Sequence, residues 1–250
     1  MVWYFFIIGL LMGSFLLVVG ERWSNDKSII KPRSHCDNCQ YFLHWYELIP
    51  IISYIFLRGR CKNCGKKISI LCPIIELITG LVYAFSYCYF GLTSNFIIAL
   101  VLFSFFIVTC VSDFKFLVIL DIPLLITCFI VLLVYMYDKG VNYFLLSLLS
   151  GFVLFAFLWA IKFIGDKKFR RESLGGGDVK LAFLIGATLH FQLAFIALVI
   201  GSLLTYPLAL YYIFRKKEKE IPFGPFLIMG LIICYLFQNE FNTLLQYLVL

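Results

Sequence analysis

The chain is poor in charge: Asp, Glu, Lys and Arg make up 14% of its 250 residues, while 62% are hydrophobic. A soluble domain usually carries about 25% charged residues and no more than about 50% apolar ones. A soluble fold of this size cannot hide so much apolar surface, so lipid is the expected solvent. Blocks of alternating polarity, the mark of a membrane barrel, are absent. The apolar runs are long and continuous, and in lipid the backbone must satisfy its own hydrogen bonds. The expectation is therefore an all-α, polytopic membrane protein. The features of a cleaved leader are missing too. Residues 2–19 are apolar, with no basic segment ahead of them and no small-residue cleavage site, so they read as a retained first span. Neither an internal repeat nor a low-complexity tract is present.

Polarity is concentrated in residues 20–69. This stretch holds Arg22, Lys27, Lys31, Arg33, Arg58, Arg60, Lys62, Lys66 and Lys67 against four acids. After the first span at 1–19 it forms the one sizeable polar domain, and 70–250 returns to apolar runs. Spans are expected at 70–90, 95–112, 122–137, 142–164, 179–191, 193–214 and 223–238, making about eight in all. The stretch 179–214 is too long for one span of about 20 residues and short for two, and His190 and Gln192 interrupt it. With 20–69 in the cytoplasm, the cytoplasmic connections carry Lys115, then Lys167, Lys168, Arg170 and Arg171, then Arg215, Lys216, Lys217 and Lys219; the outer ones carry only Lys139. That bias obeys the positive-inside rule. The net charge of +7 is thus a matter of topology and lipid contact, and no nucleic-acid partner is expected.

Four of the nine cysteines form two pairs, Cys36 with Cys39 and Cys61 with Cys64, in the spacing C-x2-C-x21-C-x2-C. Two such knuckles can set four thiolates tetrahedrally about one Zn²⁺. Gly65 suits a tight knuckle turn. Disulfides and free thiols are the competing readings, and a cytoplasmic module disfavours stable disulfides. A closed four-sulfur site would be structural, leaving no open position for catalysis. Cys72, Cys88, Cys110, Cys128 and Cys234 lie in or beside apolar segments and read as small buried hydrophobes.

Acids are sparse beyond residue 76, yet Asp113, Asp121 and Asp178 all fall at the cytoplasmic ends of spans. An ionisable group at a membrane boundary is a functional candidate; a helix N-cap is the bland alternative. Asp178 closes the run Gly175-Gly176-Gly177-Asp178, whose glycines permit unusual dihedrals and close approach of another chain. Two carboxylates sharing a site can hydrolyse an amide, one accepting a proton from water and the other donating to the carbonyl oxygen, with their titrations split by repulsion. Spacing alone does not decide whether Asp113 or Asp121 partners Asp178.

Several segments together resemble the bacterial type IV prepilin peptidases, a family of GxGD aspartyl proteases. They are Met12-Gly13-Ser14-Phe15, Glu47-Leu48-Ile49-Pro50-Ile51-Ile52-Ser53-Tyr54, Leu57-Arg58-Gly59-Arg60-Cys61, Pro73-Ile74-Ile75-Glu76-Leu77, Gly175-Gly176-Gly177-Asp178-Val179-Lys180-Leu181 and Ile221-Pro222-Phe223-Gly224-Pro225-Phe226. The resemblance covers nearly the whole chain, in order. It implies an endopeptidase of the bacterial cytoplasmic membrane, with its active site facing the cytoplasm, that removes the short basic leader of prepilins or pseudopilins. It also implies methylation of the new N-terminus with S-adenosylmethionine.

The same resemblance assigns Asp113 and Asp178 as the catalytic pair, with Asp121 as the later acid of the first motif. It makes 70–250 the peptidase domain and Gly59 and Arg60 the candidates beside the methyl donor. A knuckle turn and a solvated charge are the alternative for those two. Three positions depart from the family pattern: Leu17 where Asn is usual, Arg22-Trp23-Ser24 where Arg-Leu-Pro is frequent, and Leu120 where proline is usual. The first two lie near the proposed methylation module, so a peptidase without methyl transfer is the alternative function. A transporter with a zinc-folded loop would place polar groups near mid-membrane, whereas these carboxylates cluster at one face. A structural pilus or secretion component without catalysis would not need both aspartates.

Overall fold

The computed structural model describes residues 1–170, 172–214 and 221–249. Arg171 and residues 215–220, with Arg215, Lys216, Lys217 and Lys219 of the charge pattern, lie outside the described residues. Among those described there are nine α-helices and no β-strand: α1 (Val2–Trp23), α2 (Ile52–Phe56), α3 (Leu71–Phe90), α4 (Ser94–Phe116), α5 (Asp121–Lys139), α6 (Val141–Phe169), α7 (Gly176–Phe214), α8 (Gly224–Leu236) and α9 (Gln238–Val249). Six of them, α1 and α3 to α7, are long and apolar enough to cross a membrane, and the bent pair of α8 and α9 would together make a seventh.

Helix α7 has 39 residues. At 1.5 Å per residue that is about 58 Å, close to twice a hydrocarbon core of about 30 Å. The backbone leaves the helical region at His190 (φ 60°, ψ 174°), which divides α7 where the sequence placed an interruption. The last carbonyls before such a break lack helical partners. One of them, on Thr188, accepts the Tyr135 hydroxyl of α5 at 2.7 Å. At the C-terminal end the segment expected at 223–238 is helix α8, which at 13 residues is shorter than a span by itself. α8 stops at Leu236, and the chain turns by 79° into the amphipathic α9, because the polar Gln238-Asn239-Glu240 ends the apolar run.

The chain divides into two compact units, residues 1–96 and 97–250. In the first, α1 packs on α3. A Cβ on Gly9 would sit 2.7 Å from the Gly80 Cα, so the two backbones touch. In the second, α6 packs on α7 and α7 on α8. A Cβ on Gly186 of α7 would lie 2.5 Å from the Ser150 carbonyl oxygen and 2.9 Å from the Gly151 Cα of α6. Lipid tails are as apolar as leucine, so helices in a membrane gain little by hiding apolar surface from one another. Close packing of small residues supplies the attraction instead. Many large apolar side chains accordingly point outward, as with Leu125, Phe129 and Leu133 on α5 and Leu145, Leu149 and Phe152 on α6, while Phe105, Leu154 and Leu184 are buried. Buried hydroxyls are satisfied within their own helix: Thr79 donates to the Ile75 carbonyl (2.6 Å), Thr109 to Phe105 (2.9 Å) and Thr188 to Leu184 (2.8 Å).

Gly186→Leu should force α6 and α7 apart and destabilise the protein by about 1–3 kcal/mol. The check is a lowered unfolding midpoint in detergent, with Ala156→Leu on the exposed face of α6 leaving that midpoint unchanged.

Candidate active site

The two CxxC segments fold into matching knuckles. In the first, Cys36 N donates to the Tyr41 carbonyl (2.9 Å), Gln40 N donates to the Cys36 carbonyl (2.8 Å), and His35 bridges to Phe42. In the second, Cys61 N donates to the Lys66 carbonyl (2.8 Å), Gly65 N donates to the Cys61 carbonyl (2.9 Å), and Arg60 bridges to Lys67. Residues 40 and 65 occupy the same place in each turn, and both have positive φ, 56° for Gln40 and 70° for Gly65. The four sulfurs lie within 4.8 Å of one another; Cys36 to Cys64 is 3.8 Å and Cys39 to Cys61 is 3.9 Å. A tetrahedron with Zn–S bonds of about 2.3 Å has edges of about 3.8 Å, so this cluster can hold such an ion. Backbone N–H groups, of Cys39 first and Asn38 next, lower the Cys36 thiol to about 6, and the N–H of Lys66 lowers Cys64. Thiolate is the form that binds metal.

Gly59 and Arg60 sit in the turn leading into the second knuckle. Gly59 has φ 65°, and a Cβ there would meet the Tyr54 ring at 2.9 Å. Its N–H donates to the Tyr54 carbonyl (2.8 Å), and its own carbonyl accepts Ile68 N (2.8 Å). The turn therefore requires glycine by itself, while Arg60 is exposed. Glu47 of the same module is buried, with Oε2 accepting His44 N at 2.8 Å. Its Oε1 takes no hydrogen bond among the described residues. The facing rings of His44 and Tyr46 stack at 5.4 Å beside it in sequence.

The aspartates belong to the second unit. Helix α4 runs past the expected end at 112 to Phe116, so Asp113 lies within its last turn, 5% exposed. Its Oδ2 accepts the backbone N–H of Gly224, the first residue of α8, at 3.1 Å. Asp178 lies in the first turn of α7, 8% exposed, with its N–H donating to the Gly175 carbonyl at 3.1 Å. Ile119 lies against the Cβ positions of both Gly224, whose N–H binds Asp113, and Gly177, the neighbour of Asp178, so the two acids lie around one side chain. Asp121 differs. It opens α5 at the surface, and both its oxygens are taken by Lys180 Nζ, at 2.6 and 2.9 Å. The structure thus brings Asp113 and Asp178 together and pairs Asp121 with a cation.

Each glycine of the 175–177 run has its own setting. A Cβ at 175 would come within 2.9 Å of Asp178 Oδ2, and one at 177 within 3.0 Å of Ile119. At 176 nothing lies within 4 Å, so that side is open. Ile119 also limits residue 224, where a Cβ would be 2.9 Å from Ile119 Cδ1 and 3.1 Å from Asp113 Oδ2. The Gly224 segment was legible only as part of a family pattern; its contact with Asp113 spans 111 residues of sequence. Lys162 and Asp166, which hold the approach to Gly175, were passed over. The available signal was a lysine inside an apolar span, the kind of residue that marks function.

Residues 7–90 match the profile of the bacterial peptidase A24 N-terminal domain, and residues 100–210 that of the type IV leader peptidase family. The prepilin leader peptidase/N-methyltransferase of Bacillus subtilis is 34% identical over 246 residues, covering 94% of each chain. That of Myxococcus xanthus is 35% identical over 189 residues, 76% of this chain but only 56% of the relative's length. That of Vibrio cholerae is 26% identical over 249 residues, 92% of this chain and 94% of the relative. No solved structure matches.

Two outcomes follow from this geometry. Gly65→Ala meets no steric obstacle but must hold positive φ, which costs about 1–2 kcal/mol; chelator competition should show zinc lost at least about fivefold more readily. The exposed pair of Asp121 and Lys180 should show a coupling of no more than about 1 kcal/mol in a double-mutant cycle on unfolding, shrinking with added salt.

Proposed function

Because the chain belongs to the type IV leader peptidase family, we propose that it cuts the basic leader from prepilins or pseudopilins at the cytoplasmic face of the bacterial inner membrane, and methylates the amine so exposed. Asp113 and Asp178 are the catalytic pair. The observation that carries this reading is two buried carboxylates from distant segments gathered about Ile119, while Asp121 is engaged by Lys180.

The chemistry is general acid–base hydrolysis. One carboxylate takes a proton from a water as that water attacks the scissile carbonyl carbon. The other carboxyl donates its proton to the carbonyl oxygen. As the tetrahedral species collapses, the C–N bond breaks and the leaving nitrogen collects a proton. Two structural features serve this sequence. The Gly224 N–H fixes one oxygen of Asp113, and the open side at Gly176 leaves room for a substrate backbone beside Asp178. A substrate whose basic leader passes directly into an apolar helix presents its scissile bond where that helix enters the membrane, the depth at which α4 ends and α7 begins.

The four-cysteine cluster holds a structural Zn²⁺ in this reading. Within 20–69 the buried residues are Gly20, at the end of α1, and Glu47, Pro50, Gly59 and Cys61. Two apolar side chains do not make a core, so a metal is needed to fold the module. Methyl transfer belongs with that module. S-adenosylmethionine supplies a methyl group on a sulfonium, which a neutral amine can attack. The buried carboxylate of Glu47 is an acid in that module whose charge suits a cation of this kind. Gly59 and Arg60 remain the residues proposed to hold the donor.

The test is cleavage of a prepilin-like peptide by the membrane-embedded protein, read by mass spectrometry. Asp113→Ala and Asp178→Ala should each lower the rate by about 100- to 10,000-fold, while Asp121→Ala retains measurable cutting. A product heavier by one methylene establishes the methyltransferase. Cutting with no such gain makes the chain a peptidase alone, and wild-type cutting by both Asp113→Ala and Asp178→Ala sinks the aspartyl mechanism.

A further inference from the structure

Residues 172–175, which lead to Asp178, have no regular structure of their own. α6 ends at Phe169, Arg170 turns left-handed (φ 52°), and α7 begins at Gly176. Among the described residues, the hydrogen bonds of 172–174 are made to two side chains and a carbonyl of α6. Lys162 Nζ donates to Glu172 Oε1 at 2.7 Å and to the Leu174 carbonyl. Asp166 Oδ1 accepts the Ser173 N–H at 2.6 Å and its hydroxyl at 2.8 Å, while the Ser173 hydroxyl also lies 3.3 Å from the Lys162 carbonyl. Lys162 and Asp166, one turn apart, form an ion pair at 3.6 Å that holds both against the loop. The fit is close. A Cβ on Gly165, between them on α6, would come within 2.5 Å of Ser173 Oγ.

We propose that Lys162 is the positioning residue for the Asp178 carboxylate, fixing it through Leu174 and the adjoining Gly175. Gly175 is the pivot of this connection. Its carbonyl accepts the Asp178 N–H, and its missing side chain leaves room for Asp178 Oδ2. A displacement of Leu174 is therefore passed to the carboxylate through one flexible residue. The ammonium also lies within electrostatic reach of Asp178 itself. Its side chain is only 20% exposed, so the interaction is poorly screened. Misplacing a catalytic group by about 1 Å can cost about a hundredfold in rate. Lys162 therefore acts on turnover and leaves substrate binding alone. Neither Lys162 nor Asp166 is near 178 in sequence, and the connection arises only because α6 ends beside the start of α7.

The proposal rests on Asp178 being catalytic, and the experiment separates the two. The full-length protein is assayed in detergent on a peptide with a basic leader, a glycine before the scissile bond and an apolar segment after it. Lys162→Met should lower kcat by about ten- to a hundredfold with KM changed by less than about twofold and the melting temperature unaltered. Lys162→Arg, keeping the charge and the reach, should recover most of the loss. Glu172→Gln, at a side chain 73% exposed, should lower kcat by a smaller factor with KM again unchanged. Wild-type kcat in Lys162→Met overturns the proposal, as does a loss shared equally by kcat, KM and melting temperature. Should Lys162→Met fail to fold, wild-type kcat in Glu172→Gln overturns it. Asp178→Asn is run alongside. If it is inert while Lys162→Met is fully active, only the role of Lys162 falls; if it still cuts, the aspartyl reading falls and takes this role with it.

Discussion

A carboxylate withdrawn from water into an apolar helix bundle costs several kcal/mol unless polar groups meet it there. The unit 97–250 carries two such groups, Asp113 and Asp178, and its layout supplies both from the same resource, the start of a helix. Asp113 receives the N–H of the first residue of α8. Asp178 stands in the first turn of α7, where unpaired N–H groups and the helix dipole favour negative charge. Helices α7 and α8 therefore begin beside the end of α4, and close contacts among Gly177, Gly224 and Ile119 let them do so.

The unit 1–96 meets a different shortage. Its two transmembrane helices pack through Gly9 and Gly80, but the polar module between them buries almost no apolar surface. Two knuckles of nearly identical hydrogen bonding compensate by converging their sulfurs. That Gln40 adopts the conformation Gly65 adopts, despite its Cβ, measures how strongly the knuckle imposes its turn. The same economy governs Gly59, which the turn against Tyr54 requires whether or not a ligand binds there.

Much of this was legible in the amino-acid sequence because lipid imposes a simple rule on composition. Long apolar runs became helices, and the weak point at His190 became a break in α7. The cysteine spacing was legible because a knuckle is local, closed by hydrogen bonds that reach only five residues. What could not be read were relations between distant segments. Asp113 and Asp121 stand eight residues apart at similar boundaries; burial and the partner Lys180 separate them, and neither is written locally. The contact of Gly224 with Asp113 and the hold of Lys162 on Leu174 depend on which helix ends meet. The span expected at 223–238 matches α8, and α9 beyond it was not read because its apolar residues are interleaved with polar ones.

Ile119 couples three segments at the end of this unit that carries Asp113 and Asp178. One side chain faces residues 177 and 224 at once, near the limit of contact with each. The three positions share a single volume, and change at one is conditional on the others. A methyl group gained at 177 or 224 is tolerable only where 119 has lost bulk, so the order in which substitutions arise decides which are survivable. Among related chains, residues 119, 177 and 224 should covary as a triplet despite lying in three separate segments, and a mutation harmless in one relative should be harmful when transplanted into another.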